Sequence, residues 1–286
     1  MTLMTRFFWF LLGCAALALA GRAAEPPSFH RGKGLTVQLV SDLRVVRPGE
    51  TFYLGVWLKH EPDYHTYWQN PGLAGVPTKL NPKLPAGFRT GTMMYPPPDK
   101  VKMAAIRVHG YEHDVLLALP VTVPAGHATG PLTIPVETTW MCCRRTCNPG
   151  LAQLSLTIHI GETHRVDPEW GPEFEALKTA QPPALQGWTL TATRFEKEVE
   201  LVAHPPAGLP PPAAPQFFSS DNLICSHPVQ NWQEDGDGYR VRLALSDFLP
   251  DDQTHLRGLL FGDGSWLEGK KVPYAAIAVP MVPAQP

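Results

Sequence analysis

Apolar and polar positions alternate along most of this chain with the two-residue period of a β-strand. Leu35, Val37 and Leu39 share one side of a segment whose other side carries Thr36 and Gln38. Phe52, Leu54, Val56 and Leu58 repeat the pattern against Tyr53, Gly55, Trp57 and Lys59. Arg47-Pro48-Gly49-Glu50 between them has turn chemistry, so a hairpin-like pair with a strong apolar face is expected. Leu84-Pro85-Ala86-Gly87-Phe88 begins another strand, and Val115 to Val123 and Leu132 to Val136 read as two more. Leu154, Leu156, Ile158 and Ile160, alternating with Ser155, Thr157 and His159, close a first domain. Two stretches break the pattern. The aromatic Tyr64-His65-Thr66-Tyr67-Trp68-Gln69-Asn70-Pro71-Gly72 reads as a large turn packing its rings on the edge of a sandwich, and Tyr95-Pro96-Pro97-Pro98-Asp99 starts a loop expected to run, mobile, to His109.

Helical periodicity occurs once. Asp167-Pro168-Glu169 supplies a cap and a first-turn proline, Trp170, Phe174 and Leu177 recur on one face, and Gln181-Pro182-Pro183 ends the run. Beyond it, strands are expected at Trp188 to Thr193, Val199 to Val202, Tyr239 to Leu245, Leu256 to Phe261 and Tyr274 to Val279. Glu234-Asp235-Gly236-Asp237-Gly238 and Gly262-Asp263-Gly264 suit hairpin turns better than calcium loops. With 32 prolines and 24 glycines in 286 residues, the chain is expected to be all-β, many short strands joined by turns. The division this implies is a sandwich over 25–165, a helical linker over 166–185 and a second, smaller β-domain over 186–286.

Residues 1–24 read as a secretory signal peptide: Arg6 gives a positive start, Phe7 to Ala20 is apolar, and small residues follow at Ala23 and Ala24. Leu11-Leu12-Gly13-Cys14 has something of a lipoprotein cleavage box, but the apolar run continues past Cys14, which is expected to leave with the signal. No later stretch approaches the length of a membrane helix, so the mature chain is expected to have no transmembrane segment. A formal net charge of −2 gives no electrostatic reason to expect nucleic acid or an anionic membrane as partner.

Four cysteines then remain in a compartment that permits disulfides, with three possible pairings. Three lie in Trp140-Met141-Cys142-Cys143-Arg144-Arg145-Thr146-Cys147-Asn148-Pro149-Gly150. On a strand Cys142 and Cys143 face opposite sides, which favours Cys143 with Cys147 and leaves Cys142 as a buried thiol or a partner for Cys225. In the chain-entropy model a bridge over so small a loop stabilises by about 2 kcal/mol, against about 4.5 kcal/mol for one joining Cys142 to Cys225. A poor staple with two arginines inside its loop suits an exchanging bridge as well as a structural one, with Arg144 and Arg145 either favouring a thiolate or serving as solvated turn charges. His109 and His113 have a metal-ligand spacing for a helix, but Gly110 and the extended surroundings undo it.

Taken together, His65-Thr66-Tyr67-Trp68, Pro71-Gly72, Gly75-Val76-Pro77-Thr78, Leu84-Pro85-Ala86-Gly87-Phe88, Gly110-Tyr111-Glu112, and Trp140 followed by Cys143, Cys147 and Pro149 resemble the amino-terminal periplasmic domain of the thiol:disulfide interchange protein DsbD. The branch containing the copper-tolerance protein ScsB, which carries a second β-domain, is the nearer one. The resemblance implies an immunoglobulin-like sandwich that relays electrons between a membrane-embedded or thioredoxin-like reductant and disulfide-containing periplasmic proteins, without a bound cofactor. Cys143 and Cys147 match the family's redox cysteines. A loop that shields the pair until a partner docks also belongs to such domains, and by position the stretch from Tyr95 to His109 is its counterpart. Complete family members continue into membrane helices and a thioredoxin-like module, so a chain ending at Pro286 is expected to take its electrons from another chain. Cys142 and Cys225 are additions to the family's motif.

Two other readings compete. Cys142, Cys143 and Cys147 with a histidine could hold a soft ion such as Cu(I), in which case Cys142 should matter as much as Cys143. Alternatively the bridges only stabilise a structural or adaptor protein, and they should then resist mild reductants. Which of Cys143 and Cys147 attacks first stays open at this stage.

Overall fold

A computed structural model of the protein describes residues 27–284 other than 104, 227 and 270. The expected signal peptide over 1–24, with Cys14, lies outside the described residues. The chain begins with strands β1 (Phe29–Gly32), β2 (Leu35–Ser41), β3 (Leu43–Val46) and β4 (Thr51–His60). The aromatic segment contributes β5 (Thr66–Tyr67), followed by β6 (Lys79–Pro82) and β7 (Arg89–Thr90). Then come β8 (Asp99–Met103), β9 (Ile106–Tyr111), β10 (Val115–Thr122), β11 (Gly130–Cys143), β12 (Cys147–Ile160) and β13 (Arg165–Val166).

Two five-stranded sheets, ordered β1-β2-β4-β10-β7 and β13-β3-β12-β11-β6, enclose one core. As the alternation predicts, β2 and β4 pair antiparallel, and Leu35, Val37, Leu39, Phe52, Leu54, Val56 and Leu58 are all buried in that core. Between them the chain leaves the first sheet at buried Asp42 and enters the second as β3, parallel to β12. Asp42 holds this crossover: its carboxylate accepts from the Tyr53 amide at 2.7 Å and its carbonyl from the Asp167 amide at 2.8 Å.

Several expectations need correction. The stretch from Tyr95 to His109 is not a loop throughout, because buried Val101, flanked by exposed Lys100 and Lys102, pairs with buried Val108 in an antiparallel β8–β9 hairpin, to which β5 adds a third strand. Residues 84–88 form a turn, and the short pairing with β10 begins only at Arg89. Helix α1 (Gly171–Ala180) begins later than Asp167, because Asp167 caps a preceding turn through the amides of Glu169 and Trp170, at 2.9 and 3.0 Å, and the helix starts at Gly171 with Pro172 in its first turn. Phe174 and Leu177 bury against Val40, Leu116 and Ala118 on the outer face of the first sheet.

The remaining strands are β14 (Thr189–Arg194), β15 (Glu198–His204), β16 (Ala213–Ser219), β17 (Gln233–Asp235), β18 (Gly238–Ala244), β19 (His255–Asp263) and β20 (Tyr274–Pro283). They form one seven-stranded sheet, ordered β16-β19-β20-β14-β15-β18-β17, with its own core around Trp266, Leu201 and Leu260. Strand β16 contains Pro215, which an edge strand tolerates because half of its amides need no partner. Gly262 to Gly264 is no tight turn: β19 runs to Asp263 and the return strand begins only at Tyr274. Among the described residues no helix is long and apolar enough to cross a membrane.

Candidate functional site

Strands β11 and β12 form one continuous ribbon whose final register pair is Cys143 opposite Cys147. The pleat sets the directions of its side chains. Trp140 and Cys142 enter the sandwich core, while Cys143 points the other way, among Tyr67, Val101 and Val108. Gly150 sits opposite Trp140 because a Cβ there would overlap the indole. At the tip Arg144 to Thr146 turn the chain, closed by the Arg144 amide on the Thr146 carbonyl at 3.2 Å and by the Asn148 amide group on the carbonyls of Cys142 and Thr146, at 3.2 and 3.1 Å.

A disulfide joins Cys143 to Cys147, with Cα atoms 4.2 Å apart. The two ends differ in access: Cys143 is 1% exposed, whereas Cys147 lies at the surface. Cys142 and Cys225 are free thiols. Burial, and then the nearby Glu61 carboxylate, push the Cys142 thiol up to about 12, so it is protonated and inert at neutral pH. Among the described residues no group of three or more His, Cys, Asp or Glu side chains is placed to hold a metal ion, and the buried direction of Cys142 separates it from the other two sulfurs.

The aromatic segment supplies what covers the pair. His65 and Cys143 form an isolated antiparallel bridge, each amide donating to the other's carbonyl at 3.0 Å. Two residues on, the Tyr67 hydroxyl reaches Cys143 Sγ at 3.0 Å, Met103 Sδ at 3.2 Å, His65 Nε2 at 3.3 Å and Cys147 Sγ at 3.9 Å. The β8–β9 hairpin brings Met103 and Ile106 to this cluster. It lies close because Gly110 of β9 has no Cβ, which would overlap the Thr66 carbonyl of β5. Arg144 does not sit over the sulfurs; its guanidinium binds the Asp63 carboxylate at 2.6 Å and lies over the Tyr64 ring. Arg145 is exposed. Sequence reasoning singled out the cysteines and both arginines but set His65 aside and read Tyr67 as ring packing. The available signal was the alternation of His65 and Tyr67 beside Gly110.

The seven-stranded sheet abuts the base of the hairpin. Asn70 donates to the Ser219 carbonyl at 2.9 Å and to that of Asp221, the Tyr274 hydroxyl donates to the Pro98 carbonyl at 3.1 Å, and the His109 ring packs on Phe218.

Residues 36–158 match the family model described as thiol:disulfide interchange protein DsbD, N-terminal. The fold is similar to the crystal structure of the N-terminal periplasmic domain of ScsB from Proteus mirabilis, with a TM-score of 0.65 at 13% identity, covering 88% of this chain and 97% of that one. Spo0M, a sporulation control protein from Bacillus subtilis, aligns over 85% of this chain and 89% of its own at 12% identity, with a TM-score of only 0.22. No curated protein matches in sequence.

Proposed function

We propose that this chain, whose residues 36–158 match the DsbD amino-terminal family model, exchanges disulfides through Cys143 and Cys147 and relays reducing equivalents from a membrane or thioredoxin-like reductant to disulfide-containing periplasmic partners. The observation that carries this reading is the unequal exposure of one disulfide: a partner's thiolate has a surface sulfur, Cys147, to attack, while Cys143 is sheltered. Attack forms a bond between the partner sulfur and Cys147 and breaks the Cys143–Cys147 bond, with the electron pair leaving on Cys143. A second partner thiolate then displaces Cys147, and two protons complete the dithiol. In the delivering direction the Cys147 thiolate attacks a substrate disulfide and Cys143 resolves the mixed disulfide.

In this reading residues 25–165 are the exchange domain, 166–185 the helical linker and 186–286 a second β-domain. The seven-stranded sheet supports the division, since all of its strands come from 189–283. A periplasmic location is supported by the signal-like leader and by the compartment named for the ScsB domain.

The test is a glutathione-buffered titration of the purified protein with alkylation and mass mapping. Cys143 and Cys147 should titrate together well above about −300 mV, the region below which structural disulfides fall. A pair that stays oxidised there, or peptides joining either residue to Cys142 or Cys225, would leave a stabilising bridge in place of a relay.

A further inference from the structure

Breaking the Cys143–Cys147 bond leaves a charge where water does not reach. Cys143 is 1% exposed, so a thiolate formed on it by attack at Cys147 is not solvated and must be stabilised by fixed donors. The Cys143 amide is already committed to the His65 carbonyl. The hydroxyl of Tyr67, 3.0 Å from Cys143 Sγ, is the side-chain donor in place. A phenol has one proton, and this one has three other neighbours: Met103 Sδ, His65 Nε2 and, at 3.9 Å, Cys147 Sγ. What decides where the proton points is the state of His65. With the proton on Nε2, the imidazole donates to the phenol oxygen and leaves the hydroxyl proton for sulfur; with Nε2 bare, it competes for that proton.

We propose that His65 and Tyr67 form a donor chain, His65 Nε2–H to Tyr67 Oη–H to Cys143 Sγ, that stabilises the Cys143 thiolate as it leaves. Tyr67 touches the reacting sulfur, and His65 is a positioning residue that acts through Tyr67. The inference rests on the exchange reading above and names the groups that make its first step fast. No proton is transferred in that step: the partner thiolate loses its charge as its sulfur bonds to Cys147, Cys143 gains it, and Tyr67 keeps its proton while donating.

The surroundings suit the arrangement. Burial holds His65 below its ordinary value, so it is neutral with a single N–H, and burial, followed by Cys142, pushes Tyr67 up to about 12, so its hydroxyl stays protonated throughout the working range. The other titratable groups near the chain are few. From β11 comes Cys142, which faces the opposite side of the strand; from the ribbon tip comes Arg144, neutralised by Asp63; and from β4 comes His60, bonded to Thr66 at 3.0 Å. The hairpin contributes Met103, which does not titrate.

The test uses the full chain carrying Cys147→Ser, in which the carbon-13 Cβ resonance of Cys143 is followed against pH, alone and with Tyr67→Phe, His65→Phe or His65→Gln. Glutathione reduction rates are measured in parallel without the serine substitution. Tyr67→Phe should raise the Cys143 ionisation midpoint by about one unit or more and slow reduction by roughly tenfold, as expected for loss of a hydrogen bond to a charged group. His65→Phe should move both in the same direction, and His65→Gln, whose amide N–H reaches the Nε2 position, should restore most of the loss. Packing alone would not separate Gln from Phe in this way. Should Tyr67→Phe prove unfolded by circular dichroism, the two His65 variants decide, because they leave the phenol in place. An unmoved midpoint in Tyr67→Phe, or His65→Gln no better than His65→Phe, overturns the proposal. Shifted midpoints in a protein that refuses thioredoxin-like partners would instead sink the relay reading and leave the donor chain standing.

Discussion

His65 and Cys143 pair through both of their backbones, each amide 3.0 Å from the other's carbonyl, although one lies in the aromatic segment and the other at the end of the long ribbon. The pairing fixes the height of the chain over the disulfide, and because side chains alternate it also fixes which residue two positions on meets the sulfur. Tyr67 is that residue, and Trp68 falls in the sandwich core instead. A long-range backbone contact thus turns an aromatic turn into a lid over one of the two sulfurs.

The unequal exposure that results has a direct chemical readout. A Cys143→Ser chain retains the surface thiol of Cys147 and should form stable mixed disulfides with a thioredoxin-like protein lacking its own resolving cysteine. A Cys147→Ser chain retains only the sheltered Cys143 of the pair and, with Cys225→Ser added to both variants, should trap such a partner at least roughly tenfold more slowly. Mass spectrometry of the trapped species under identical conditions checks this, and equal trapping by the two variants would remove the assignment of Cys147 as the attacked sulfur.

The ribbon that carries the pair depends on one missing side chain. At Gly150 a Cβ would overlap the Trp140 indole, which itself fills the sandwich core beside Cys142. Gly150→Ala should therefore destabilise the protein by about 1–3 kcal/mol, through displacement of a packed ring. Denaturant unfolding of the variant measures the loss; a change within 0.5 kcal/mol, the usual scatter of neutral surface substitutions at roughly that size, would mean the ring moves aside freely.

Much of this molecule was legible as pattern. The β2–β4 pair, the two ribbon strands and five of the seven later strands follow from simple alternation, and the small loop with two arginines inside it pointed to the cysteine pair. What escaped was non-local. Strand β5 is two residues long, too short to show a period even though Thr and Tyr favour strands; it pairs because Gly110 allows β9 to approach Thr66. The three prolines at 96–98 obscured the β8–β9 hairpin behind them, and Pro215 obscured β16 in the same way. The role of Arg144 was equally hidden, since its proximity in sequence to the cysteines says nothing of Asp63, which takes its charge.

Acid should weaken the protein through its buried histidines. His109 donates from Nδ1 to the Asn70 carbonyl at 3.1 Å and packs on Phe218 of β16. Burial first, partly opposed by that hydrogen bond, lowers it to about 4. The unfolded chain then takes up a proton near pH 6.5 that the folded chain refuses until about pH 4, so stability is full above 6.5 and falls as pH drops through that window. By pH 5 the loss from this one residue is about 2 kcal/mol. His60, also lowered to about 4 by burial, adds to the same trend. His109→Asn keeps a donor for Asn70 without the titration, and its unfolding free energy should fall less steeply between pH 7 and pH 5 than that of the unchanged protein. Parallel pH profiles for the two would assign the acid sensitivity elsewhere.

The last expected outcome concerns the hairpin as a barrier. Met103 lies at the end of β8 with its sulfur 3.2 Å from the Tyr67 hydroxyl, and with Ile106 it covers the cluster that buries Cys143. An unbranched thioether adapts to a neighbouring surface at little strain, which suits a cover that would part on the docking proposed above. Met103→Ala removes the cover and one competitor for the Tyr67 proton while leaving the backbone of the hairpin in place. Reduction of the disulfide by a small thiol should then become faster by several-fold, about the factor that one lost weak contact of roughly 1 kcal/mol allows. The rate with a protein partner should change less, because docking displaces the same atoms in either form. Stopped-flow reduction by dithiothreitol and by a thioredoxin-like protein, compared side by side, separates the two effects. If Met103→Ala leaves the small-thiol rate unchanged, neither the cover over Cys143 nor the competition for the Tyr67 proton limits attack at the exposed Cys147; if both rates rise together, the hairpin restrains the exchange itself rather than the approach to it.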